Sequence, residues 1–465
     1  MAMSKLLETA TKIYVVVLAA GAGKRMHSAL PKVLHEVAGR SLIRHVVDTA
    51  QSLKPEKICI VIGHGAAQVK QSLTAAEITW VNQAQQLGTG HALLQALPHL
   101  DVDGITLVLY GDVPLISQDT LHKLIHVSAS EYLTILTAKF ADSFGYGRIV
   151  RDPVTSKITA IVEQKDATQE QQDISEINTG IMLIPNTLLH SWLPQLKNNN
   201  LQQEYYLTDI IDLAVKAGLE IKSFEAEKKW EVLGVNSKSQ LVELERIYQT
   251  NYAFNLMEKG ARLLDPARID IRGELQCGSD VSIDINCIFE GSVILGDSVQ
   301  VGAHCVLRNV KIAAGAIIQP FCLIEDAEIG EACKIGPYAR IRPGSKLDSQ
   351  VHIGNFVEVK NSQIGRSSKA NHLSYIGDSM VGKNVNIGAG TITCNYDGVN
   401  KYRTVIEDDV FIGSDTQLIA PVKIARGSTI GAGSTITKET PENQLTLSRS
   451  KQVSISNWKR PEKNK

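Results

Sequence analysis

The hydrophobic pattern of this chain changes period partway along. In the first half, short apolar runs alternate with longer stretches patterned as helices. Ile13 to Ala20 is apolar and β-branched, Lys32 to Leu53 reads as a helix, and Ile58 to Ile62 and Thr106 to Tyr110 read as two more buried strands. Strand, helix and strand in succession predict an α/β domain with a parallel sheet covered on both faces. Ligands of such sheets sit past the carboxyl ends of the strands. The glycines after Ala20 and the Gly111-Asp112 pair after Tyr110 both fall at that edge. From Ser237 to Lys259, Leu241, Leu244, Tyr248, Tyr252 and Leu256 recur three or four apart and Gly260 supplies a stop, which predicts a linking helix.

After about residue 265 the period becomes six. Ile283, Phe289, Leu295, Val301 and Leu307 form one series, and Ile312, Ile318 and Ile324 a second. Ile329, Ile335, Ile341, Leu347, Ile353 and Val359 form a third, and Ile406, Ile412, Leu418, Ile424, Ile430 and Ile436 a last one. Glycine often follows the aliphatic, as at Gly296, Gly336, Gly354 and Gly413. Hexapeptide periodicity predicts a parallel β-helix in which each face is one short strand and the aliphatic points inward onto its equivalents in neighbouring coils. Where the spacing drops to five, as from Leu307 to Ile312, a shortened corner is expected. Between Thr393 and Ile406 the polar segment CNYDGVNKYRTV breaks the period. It must leave the coil, and such loops often carry function. The expected organisation is one domain over 1–236, a linker helix over 237–260, and the β-helix with its tail over 261–465.

Composition narrows the class. A length of 465 residues suits two or three domains, and 43% apolar with 21% charged residues suits buried cores. Only 5% of residues are aromatic, as expected of an interior of stacked aliphatics. The formal net charge of −1 gives a nucleic acid no electrostatic footprint, so no such partner is expected. The basic tail from Lys451 to Lys465 reads as a solvated end. Seven cysteines without C-x-x-C spacing form neither a disulfide framework nor a zinc pattern and suit a reducing compartment. The N-terminal MAMSKLLETATK does not read as a signal peptide, and the apolar run from Ile13 to Gly23 is about half a membrane span. A cytoplasmic protein with no membrane partner is therefore expected.

The candidate chemistry begins at LAAGAGKRM, Leu18 to Met26. A dinucleotide fingerprint needs a third glycine where Met26 stands. A P-loop needs a glycine at Leu18 and Ser or Thr at Arg25. The segment is another kind of phosphate turn, in which glycines let backbone N–H groups approach phosphate oxygens while Arg25 and Lys32 add charge.

With Pro31-Lys32, Gln83, Gly88-Thr89-Gly90-His91 and Tyr110-Gly111-Asp112, this segment resembles the sugar-nucleotide pyrophosphorylases. Gly145-Tyr146-Gly147-Arg148, Glu163, Asn178-Thr179-Gly180, Asn236 and the β-helix half narrow the resemblance. The chain looks like the bacterial bifunctional family that fuses N-acetylglucosamine-1-phosphate uridyltransferase to glucosamine-1-phosphate N-acetyltransferase. The resemblance covers nearly everything after residue 12. It implies a Rossmann-like nucleotidyltransferase domain followed by a left-handed parallel β-helix. It also implies the substrates UTP, acetyl-CoA, glucosamine 1-phosphate and N-acetylglucosamine 1-phosphate. Asp112 and Asn236 would hold Mg²⁺, a cation that takes few protein ligands. Arg25 and Lys32 would stabilise the triphosphate. Leu18, Ala19, Ala20, Gly21, Gln83, Gly88, Thr89, Tyr110 and Gly111 would line the nucleotide site, Gln83 reading the uracil. Gly147, Glu163 and Asn178 would hold the sugar. Lys24 departs from the family, which commonly has Thr there.

In the second half the hexad around Lys369-Ala370-Asn371-His372-Leu373-Ser374-Tyr375 is polar and matches the hexapeptide acyltransferases. The resemblance makes His372 a general base, and an imidazole with an ordinary pKa of about 6.5 suits amine deprotonation. Asn395 and Ser414 would serve near the oxyanion. Arg342, Lys360, Tyr375 and Asn386 would bind glucosamine 1-phosphate. Ala389, Asn395, Tyr396, Ser414, Ala432 and Arg449 would contact acetyl-CoA. Asn371 stands where the family often has Gly. The resemblance also implies a homotrimer with the acetyl site between subunits. The alternative is a monofunctional uridylyltransferase whose β-helix only trimerises.

Overall fold

The computed structural model describes residues 12–73, 77–129, 131–461 and 463. The first eleven residues, the last residues of the basic tail and the side chain of Lys24 lie outside that description. The chain divides into two compact units, 1–248 and 249–465.

The first unit is built on one mixed sheet. Its strands are β1 (Ile13–Ala19), β2 (Lys57–Ile62), β3 (Thr79–Asn82), β4 (Ile105–Tyr110), β5 (Leu133–Lys139), β6 (Gly147–Arg151), β7 (Ile158–Val162), β8 (Glu176–Pro185) and β9 (Ile221–Glu225). Their order is β9-β5-β8-β4-β1-β2-β3, with β6 and β7 continuing from β8. Neighbours of β1 run parallel to it, whereas β8 is antiparallel to β4, β5 and β6. The sheet is therefore not purely parallel as its opening pattern predicts, because β8 enters beside β4 through the β6–β7 excursion rather than through a helical crossover. Val15 and Val17 face one core, and Tyr14 and Val16 the other. Burial on both faces explains why β1 reads as continuous apolar sequence.

The stretch read as one helix from Lys32 to Leu53 is interrupted. A single turn over Lys32–Leu34 leads into a hairpin of Glu36–Val37 and Arg40–Ser41, and only Leu42–Ser52 is α-helical. Ala38 and Gly39, with φ of 52° and 73°, form the hairpin turn. Two consecutive left-handed residues are what a two-residue hairpin loop requires.

The helix Lys238–Glu258 spans the division between the units. Leu244 is buried with Met26, Val37 and Val235 of the first unit, while Ala253 and Leu256 join the core of the second.

The second unit is a parallel β-helix. One face is an uninterrupted ladder of eleven two- to four-residue strands from Arg262–Leu263 to Leu445–Thr446. Gln300 pairs with Ile317 and Ile317 with Lys334, so a coil takes seventeen residues there. All twenty aliphatic and Phe positions of the four series are buried in one continuous core. Left-handed residues turn the chain at corners of both lengths, as at Ser298 and His304, with φ of 57° and 60°. At the five-residue corners Asn309, Asp326, Asn361 and Asp378 adopt φ between 43° and 49°, while Gly344, between Ile341 and Leu347, takes 79°. A single left-handed residue turns the chain, and Asn and Asp tolerate that region better than other side chains. They also tie the corners together. Asn309 Nδ2 donates to Asp326 Oδ1 at 3.0 Å and Asn361 Nδ2 to Asp378 Oδ1 at 2.6 Å.

The predicted excursion is present. Residues 395–403 separate the strands Ile392–Cys394 and Thr404–Ile406, and Tyr402 N–H closes the loop onto Asn395 O at 2.9 Å. Among the described residues no helix is long and apolar enough to cross a membrane.

Candidate functional sites

In the first unit the chain after β1 bends back over the sheet edge. Gly23 has φ +60° and a Cβ there would lie 2.6 Å from Lys32 Cβ, so glycine lets the turn close on the lysine. A cavity opens beside it. Leu18, Ala19, Ala20, Gly21, Lys32, Gln83, Gly88, Thr89, Tyr110 and Asp112 line it, together with Val33, Gln86, Ala92 and Glu204. Gly111 sits just beneath, its N–H donating to Leu18 O at 3.0 Å. Arg25 is exposed on the short turn Lys24–Met26 and is not among the lining residues.

Lys32 is the electrostatic centre. Its ammonium pairs with Asp112 Oδ2 and lies 3.2 Å from Asn236 Oδ1. Residues 124 positions apart in sequence thus bring two oxygens onto one cation, because Val235 N–H donates to Asp112 O at 2.9 Å and draws the segments together. Asn236 N–H is held in turn by Gln240 Oε1 at 2.7 Å. One carboxylate and one amide oxygen suit a hard divalent ion that keeps its waters. No group of three or more His, Cys, Asp or Glu arranged for a metal occurs among the described residues.

A second cluster lies on the far side of Tyr110. Asn178 pairs with Gly147 across β8 and β6, and a Cβ on Gly147 would touch Glu163 Oε2 at 3.4 Å. Glu163 accepts from Thr208 Oγ1 at 3.1 Å. Burial pushes the Glu163 carboxyl above its ordinary range, partly offset by that hydrogen bond. Burial likewise raises Tyr110, with the charges of Glu163 and Asp112 adding to it. Thr208 and Glu204 are site residues the sequence reading missed. Their segment docks on the loop before residue 90, where Tyr205 N–H donates to Leu87 O and Gly90 N–H to Tyr205 O, both at 2.8 Å.

In the second unit the expected residues occupy two corners and the face between them. His372 is exposed at the end of the strand Lys369–His372, and its Nδ1 lies 2.9 Å from Asn355 Oδ1 in the coil before. The neighbouring Asn371 is half-buried and its Oδ1 has no hydrogen-bond partner. Further along the same corner, Gly388 abuts Ser414 N and Gly413 abuts Ala432, which places Ala389, Ser414 and Ala432 in successive coils. Arg449 Nη1 reaches Ala432 O at 2.9 Å. Asn386 stands one coil beyond Lys369.

On the adjoining face Arg340 pairs with Glu358, and Glu358 with Tyr375 and Lys360 with Gly377. Arg342 and Lys360 consequently share one column on adjacent coils, and Glu358 Oε1 takes Arg342 Nη1 at 2.8 Å. Asn395 is buried at the next corner, where its Nδ2 donates to Asp378 Oδ2. Tyr396 is exposed at the start of the loop. No described hydrogen bond joins the His372 group to Asn395. Asn355, Glu358 and Asp378 were not singled out by sequence reasoning. A seventeen-residue register count from His372, Tyr375 and Asn395 reaches all three.

Comparison with known proteins follows the same division. Residues 15–177 match the MobA-like NTP transferase domain, and residues 326–361 and 403–438 match the bacterial transferase hexapeptide (six repeats). The chain is 62% identical to the "Bifunctional protein GlmU" of Nitrosospira multiformis, over 97% of this chain and 98% of that one. It is 61% identical to that of Nitrosomonas europaea, over 98% and 99%, and 60% identical to that of Cupriavidus pinatubonensis, over 97% and 99%.

Proposed function

The chain belongs to the GlmU family of bifunctional proteins, and from that premise we propose how its two units make UDP-N-acetylglucosamine. The second unit transfers acetyl from acetyl-CoA to glucosamine 1-phosphate. The first then transfers uridylyl from UTP to N-acetylglucosamine 1-phosphate and releases pyrophosphate. The observation that carries this reading is the convergence of Asp112 and Asn236 on one cation in one unit, with an exposed, carboxamide-anchored His372 in the other.

In the uridylyl step a sugar phosphate oxygen attacks the α-phosphorus, one P–O bond forms and the bond to pyrophosphate breaks. Such a transfer needs positioning and charge neutralisation more than covalent help. Asp112 and Asn236 would hold Mg²⁺, which supplies charge neutralisation at the phosphate oxygens. Lys32 and Arg25 meet the remaining triphosphate charge. Glu163, held by Thr208, accepts from sugar hydroxyls, and Asn178 and Gly147 complete that pocket.

In the acetyl step the amine attacks the thioester carbonyl, a C–N bond forms, the C–S bond breaks and the CoA thiolate leaves. Asn355 Oδ1 accepts from His372 Nδ1–H, which leaves Nε2 as the base for the amine proton. Arg342 and Lys360 offer two cations to one phosphate dianion. Because His372 and Asn395 stand at different corners, the complete site is formed between copies, in a homotrimer. The exposed stack of His304, Phe321, Tyr338 and Phe356, with centroids 4.8 to 5.3 Å apart, gives the β-helix an apolar surface for association. The work is divided between 1–236 and 261–465, in the cytoplasm.

His372→Ala should lower acetyl transfer by about 10²-fold or more and leave uridylyl transfer at its wild-type rate. Asp112→Ala should do the reverse. Both are read in a mixture of glucosamine 1-phosphate, acetyl-CoA, UTP and Mg²⁺. Undiminished acetyl transfer in His372→Ala refutes the assignment of the base.

A further inference from the structure

Gln83 lines the nucleotide cavity and is only 3% exposed, so the orientation of its amide decides what the cavity can bind. Two observations fix that orientation. Nε2 lies 3.1 Å from the carbonyl oxygen of Gly88, which can only accept, so the NH₂ end of the amide must face it. Nε2 also lies 3.1 Å from His91 Nδ1. With one amide hydrogen given to Gly88, the second points at that ring nitrogen, which must carry a lone pair. Both donors of Gln83 are then spent, and no described hydrogen bond engages its Oε1. The Gln83 contact thus selects the tautomer with its hydrogen on Nε2, which lies 3.3 Å from Nε2 of Gln95. The same Gln95 Nε2 donates to the backbone oxygen of His91 at 3.2 Å, so this partly exposed side chain must shift before it can accept from the ring, whereas the nearly buried Gln83 has no such freedom.

We propose that His91 is a positioning residue for nucleobase selection: its Nδ1 lone pair holds Gln83 so that an acceptor, and not a donor, faces the base edge. A pyrimidine with N3–H, such as uracil, donates to that oxygen. Cytosine presents a lone pair at N3 and meets like against like. A buried site that leaves a polar group unpaired against the wrong base discriminates far more strongly than one that merely fits less well. This inference rests on Gln83 reading the uracil, as the family resemblance implies.

The test compares kcat/KM for UTP and CTP in the full chain, with acetyl transfer by the other unit as the internal control of folding. His91→Leu removes the lone pair and should cut the UTP-over-CTP preference by about tenfold or more, chiefly through KM. His91→Asn places an acceptor oxygen at the same branch position as Nδ1 and should restore most of the preference. Gln83→Leu should raise KM for UTP by a similar factor. If Gln83→Leu leaves KM for UTP unchanged, the reading of Gln83 falls. If Gln83→Leu weakens UTP but His91→Leu keeps the wild-type UTP-over-CTP ratio, or His91→Asn and His91→Leu behave alike, the role given to His91 falls alone.

Discussion

Glu163 shows how one side chain trades stability for binding. It is half-buried, holds one hydrogen bond from Thr208, and has a carboxyl raised by desolvation. Its folded pKa stands above its unfolded value. The carboxyl therefore contributes most below the unfolded value, and that contribution is lost as pH rises through the folded value. Glu163→Gln keeps an acceptor for Thr208 without a buried charge. The variant should melt higher than wild type at about pH 8, and the gap should narrow toward about pH 5 as the wild-type carboxyl protonates. It should also raise KM for the sugar phosphate about tenfold while leaving KM for UTP unchanged. Thermal melts at the two pH values and initial rates check the three outcomes.

The turns of the coil make the same point for whole strands. Asn361 is held at φ 45° and donates to Asp378, whose other oxygen holds Asn395. Asn361→Ala should cost about 1–3 kcal/mol in denaturant unfolding. Asn361→Gly should recover the conformational part, since glycine enters the left-handed region freely. Both variants should lower acetyl transfer, because each frees Asp378 beside Asn395. Much of this architecture was legible in the residues themselves. The six-residue series located the inward ladder, and Leu18 to Met26 with Asp112 located the sheet edge where the cavity opens. Other elements were hidden for physical reasons. The hairpin turn is Ala38-Gly39, and only Gly39 signals a left-handed turn. β8 is as apolar as a parallel strand, because both its faces are buried, so its antiparallel direction left no mark. Thr208 and Asn355 act across long sequence gaps that only pairing registers reveal.

At the scale of the molecule, the two chemistries differ in what they require. In the proposed mechanism Asp112 and Asn236 hold a divalent cation, whereas His372 acts by proton transfer alone. Chelation with excess EDTA should stop uridylyl transfer and leave acetyl transfer running, and added Mg²⁺ should restore the first. Sedimentation of the full chain should give the mass of three copies. Charged substitution of the exposed Phe321 and Tyr338 should shift it toward one copy, with loss of acetyl but not uridylyl transfer.

One more consequence comes from the loop at 395–403. Asn386 pairs with Phe411, a coil of twenty-five residues where the one before has seventeen, yet Met380 still pairs with Val405 and Tyr375 with Ile392. Chain length and column height are therefore independent at that bend. Extra sequence can be admitted there, by evolution or by design, while every rung above and below keeps its place.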